Sequence, residues 1–194
     1  MSKRHLFSLI LVVLLLSVVL VSCSSNQYTC FYGYFEDSAY AFVYVPSSNS
    51  FYCIQLPLEQ ILLWGKASGL DSIPVAMRNY VGLKDSGFLL GTSNSLMTFK
   101  ELLDAIGPDP EGKASNSKRV STMVERASQL SKKPISDKIS QLCGQDSEKL
   151  FSLLAEYNPT SISYDAHGFF NSDDLNFSQR YFSQWLEQVL GGNI

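Results

Sequence analysis

Two short runs constrain the fold of this chain more than any other feature. Ala39-Tyr-Ala-Phe-Val-Tyr-Val45 and Phe51-Tyr-Cys-Ile-Gln-Leu56 consist largely of β-branched and aromatic residues, which suit strands. Pro46-Ser-Ser-Asn49 between them is turn chemistry, and Pro57 ends the second run. Together they predict a hairpin with a slightly long loop. Neither run alternates cleanly between apolar and polar side chains, as a strand with one wet face does. Both faces must therefore be covered, as in a sheet between helix layers.

The rest of the pattern supplies those layers. Asp71 or Ser72 caps a helix, with Pro74 in its first turn and Gly82 just past its end. Val75, Tyr80 and Val81 are its core contacts. Gly87-Phe-Leu-Leu90 reads as a short apolar strand. Thr98 and Glu101 make a capping box, and Phe99, Leu102, Leu103 and Ile106 recur at helical spacing until Gly107-Pro108. Val120 to Leu130, Ile135 to Cys143 and Ser147 to Tyr157 are further helical stretches. Ser161 to Tyr164 is a late strand, and a last helix runs from about Phe177 to Leu190 on an aromatic stripe that is core. There is no internal repeat. Early strands and alternating helices predict an α/β fold, a mixed sheet layered with helices.

The start of the chain has another character. Met1 to His5 is a basic head, and Leu6 to Val21 is apolar except for Ser8 and Ser17. A charged head, an apolar stretch and a small residue before a processing point make a secretory signal. A spanning helix needs about 20 apolar residues, and this run is shorter and lacks a basic flank. Leu20-Val-Ser-Cys23 resembles the lipobox of bacterial lipoproteins. The resemblance implies that residues 1–22 are a signal peptide, cut off before a lipidated Cys23. Several acyl chains, palmitate among them, make a stable anchor at about 0.8 kcal/mol per buried methylene. The implied location is extracytoplasmic, on a membrane through Cys23, at a periplasmic face or the cell surface. Residues 23–36 become a lipidated tether and 37–194 a single domain. Aromatic-rich Tyr28 to Phe35 is either a strand or a sticky membrane-proximal segment, and packing into the core is the preferred reading.

Removing residues 1–22 takes away Lys3 and Arg4 and no acid, leaving 13 basic against 18 acidic residues, a formal charge of −5. That balance argues against nucleic acid as a partner. Cys30, Cys53 and Cys143 then remain beside Cys23, in a compartment that permits disulfides. Three thiols allow one internal pair, and Cys30 with Cys53 is favoured, with buried thiols as the alternative. No CxxC occurs, and with His167 as the one mature histidine a zinc site has no ligand set. Asp165, His167, Asp173 and Asp174 form a polar stretch, either an oxygen-ligand cation site or, preferably, a solvated loop. No Gly-x-Ser-x-Gly elbow supports serine catalysis. Lys118-Arg119 and Lys132-Lys133 read as ordinary exposed charge.

Three blocks in order carry a family resemblance. Asp37-Ser38 precedes the first strand, and the second strand ends in Pro57. Val75 to Gly107 has a helix ending in Val-Gly-Leu, the strand Gly-Phe-Leu-Leu, then Met97-Thr-Phe-Lys-Glu-Leu-Leu-Asp-Ala-Ile-Gly107. Asn176 to Leu190 is the third and weakest block. Together they resemble the LytR–CpsA–Psr family, with its "phenylalanine–x–x–leucine–x–aspartate–alanine–leucine–glycine" helix, over about half the mature chain. Residues 109–172 match poorly. The resemblance implies a cell-envelope phosphotransferase. Such a protein moves a glycopolymer from a polyprenyl-pyrophosphate carrier to a cell-wall acceptor. Acids hold magnesium, and arginines grip the pyrophosphate with their planar fork.

Carried over residue by residue, the acids survive in part and the arginines do not. Asp37 stands at the early metal-associated aspartate, and Glu59 takes the acid of the "proline–arginine–aspartate" after the second strand. Asp173 and Asp174 lie near the late acids. The arginine positions fall at Phe35, Leu58, Gln179 and Phe182. Arg180 is one step off register, which turns a side chain by about 100° on a helix. Arg180 and Arg78 are the candidate replacements for phosphate contacts. The expectation is a diverged, non-catalytic envelope lipoprotein that binds an envelope glycan, a polyprenyl-linked precursor or a protein. A working phosphotransferase with magnesium and a structural surface lipoprotein without ligand are the alternatives.

Overall fold

The computed structural model describes residues 28–69, 72–84, 86–90, 98–109, 111–132, 146–165, 184–185 and 188–189. Strands β1 (Thr29–Tyr34), β2 (Ala39–Val45) and β3 (Ser50–Leu56) form an antiparallel meander. Helices α1 (Leu58–Ala67) and α2 (Ile73–Val81) lead to β4 (Gly87–Leu90), which lies parallel beside β1. Helices α3 (Phe99–Ile106), α4 (Asn116–Lys132) and α5 (Asp146–Tyr157) lead back to β5 (Ser161–Asp165), parallel beside β3. The sheet is five-stranded and mixed, in the order β4-β1-β2-β3-β5. The fold is therefore α/β, a mixed sheet layered with helices.

Every residue of β2 is buried, which explains why its sequence does not alternate in polarity. It alternates in size instead. Tyr40, Phe42 and Tyr44 face a core shared with α3, α4 and α5, whereas Ala39, Ala41, Val43 and Val45 face one shared with α1 and α2. Phe99 of α3 lies on Tyr40, ring centroids 4.0 Å apart, and Phe42 stacks with Phe51. Leu102, Leu103 and Ile106 complete the buried stripe of α3 at the expected spacing. On the other face Ile61, Met77, Tyr80 and Val81 cover the small residues, and Trp185 and Val189 pack there too. Trp185 meets Tyr52 edge-on at 5.1 Å.

Local chemistry sets the element ends. Thr98 accepts the Glu101 N–H and Glu101 accepts the Thr98 N–H, the reciprocal capping box. Gly82 closes α2 in the left-handed region at φ 79, where a Cβ would be strained. Asp146, at the start of α5, accepts the Phe88 N–H at 2.9 Å and so ties that helix to β4. Gly87 is hemmed in there: a Cβ would come within 2.9 Å of the Phe31 ring. No helix of the described residues is long and apolar enough to cross a membrane.

Several expectations are corrected. Residues 29–34 are a buried strand of the sheet, so a tether extending to residue 36 is too long. Cys30 and Cys53 are not joined. They occupy β1 and β3 with side chains on opposite faces of the sheet, one in each core. Helix α1 was not expected at all. It follows Pro57 with no side-chain cap, carries Gly65 inside, and exposes Leu62 and Leu63, so its polarity pattern is blurred. The helical stretch 135–143 and most of 177–190 lie outside the described residues, as does Asp71. Ser72 holds the N-cap position of α2 without a side-chain cap bond.

Candidate functional site

Strands β1, β3, β4 and β5 all point one way and β2 the other, so four C-terminal strand ends share one edge. Ligands of open α/β sheets bind outside such ends. Tyr34 lies beside Ala39 and Leu90, and Ala39 beside Leu56, so the turn after β1 and the start of α1 adjoin. Asp37 and Glu59 therefore reach the same edge on neighbouring connections. Asp37 is in the β1–β2 turn and Glu59 in the first turn of α1, both exposed.

Each acid has a structural role there. The Phe35 N–H donates to the Ser38 carbonyl at 2.8 Å, closing the turn, and the Ser38 hydroxyl donates to Asp37 Oδ1 at 2.8 Å. Glu59 sits at the positive end of the α1 dipole. Behind the turn, Tyr40 is buried, and Asn116 Nδ2 donates to the Tyr164 hydroxyl at 3.1 Å. Burial first, then the hydrogen bond to Tyr164, push the Tyr40 phenol far above its usual range.

The two described positions that match the family arginines carry no charge. Phe35 is 2% exposed and turned into the aromatic core, with its ring centroid 5.3 Å from that of Phe99. Leu58 packs against the core on the other face. Arg78 is on the last turn of α2, and the chain just beyond it is bound at the start of β1, where the Lys84 N–H donates to the Tyr28 hydroxyl and the Ser86 N–H to the Cys30 carbonyl. That is the opposite end of the strand from Asp37. Asp173, Asp174, Arg180, Gln179, Phe182, His167 and Cys23 lie outside the described residues. Among the described residues no three His, Cys, Asp or Glu side chains converge to hold a metal ion.

A second polar feature lies between α3 and α4. Arg119, read from the sequence as exposed, is 8% exposed. Its Nη2 donates to the Lys100 carbonyl and to Asp104 Oδ1. Lys118 beside it is exposed as expected. Arg119 lines a cavity of about 210 Å³ with Lys100, Asp104, Pro108, Asp109, Gly112 and Ala114. The amphipathic spacing of α4 was the available signal: Val120, Met123, Val124 and Ala127 are buried, and Arg119 borders that stripe.

In comparisons with known proteins, no family model, curated protein or solved structure matches this chain. Its chemistry must be judged on its own residues. The strand-end edge offers exposed carboxylates that can accept hydrogen bonds or draw a cation loosely.

Proposed function

We propose that this is a membrane-anchored extracytoplasmic lipoprotein whose α/β domain is a diverged, non-catalytic relative of the LytR–CpsA–Psr family. It serves to bind an envelope glycan, a lipid carrier or a partner protein. The anchor rests on the sequence Leu20-Val-Ser-Cys23 behind its apolar run. The loss of catalysis rests on one observation: two positions matched to pyrophosphate-gripping arginines hold Phe35 and Leu58, each packed on a core face. Transfer from a pyrophosphate needs preorganised positive charge on the departing oxygens. Phosphate oxygens set among these side chains lose water without gaining a counter-charge, and Asp37 and Glu59 repel them.

One observation favours the alternative, a phosphotransferase of unusual chemistry. Asp37 and Glu59 reach the same sheet edge, as a family metal site requires. Such an enzyme would draw its charge from Arg180 or Arg78. A transfer assay separates the two readings. Purified protein, given a polyprenyl-pyrophosphate-linked glycan and magnesium, is expected to release no carrier above the background rate. Turnover that Asp37→Ala abolishes would overturn the non-catalytic reading.

A further inference from the structure

We draw no further inference here: the strongest candidate, the exposed apolar pair Leu62 and Leu63 on the solvent side of α1, 39% and 70% exposed, carries nothing because no feature of the described residues shows what covers it.

Discussion

Asp146 shows how a single carboxylate can couple acid stability to a strand. It accepts the Phe88 N–H of β4 and the Lys149 ammonium. The hydrogen bond to Lys149 first, then the one from Phe88, lower its pKa below the ordinary aspartate value. A carboxyl depressed in the folded state stabilises the fold above its unfolded pKa of about 3.9, and that contribution is lost as pH falls through the folded value. Asp146→Asn keeps an acceptor for Phe88 but no charge. It should lower stability at neutral pH and flatten the decline below about pH 4, as read by urea unfolding across a pH series. An unaltered acid limb in the variant would refute the linkage. No sequence pattern singles out Asp146, because its partner Phe88 is 58 residues away. Arg119 was misread for a related reason: next to Lys118 it looks like surface charge, and only the docking of α4 on α3 buries it.

At the level of elements, legibility followed local chemistry. Strands β2 to β5, the capping box of α3 and the glycine stop of α2 depend on neighbouring residues and are legible in the sequence, whereas β1 is not told apart from a tether. Helix α1 has no polar cap and exposes apolar residues, so it is not legible either. The two caps predict contrasting stabilities. Thr98→Ala removes an acceptor in use and should cost about 1 kcal/mol. That corresponds to a fall of about 2–4 °C in melting temperature for a domain of this size. Ser72→Ala at the start of α2 removes a side chain that makes no cap bond, and should leave the melting temperature nearly unchanged. Equal losses in the two variants would mean that the Thr98 bond adds nothing to stability.

For the whole molecule, a fully buried central strand between two helix layers follows from sequence, because β2 has no polar side chain to give to water except its tyrosine hydroxyls. The strand order did not follow, since both parallel pairings, β4 with β1 and β5 with β3, close over long crossovers with no local signature. The same limit applies to the candidate site. Asp37 and Glu59 could be named from a family pattern, but their meeting at one sheet edge is a product of topology, as is the cavity under Arg119. The proposed role depends above all on where this domain is held. Mass spectrometry of the N-terminus of the protein extracted from its membrane addresses that point. The expected first residue is Cys23, carrying a diacylglyceryl thioether, with residues 1–22 gone and Cys23→Ala abolishing both the lipid and the cut. A protein that starts elsewhere, or a Cys23 that is first but unmodified, would contradict the anchored reading.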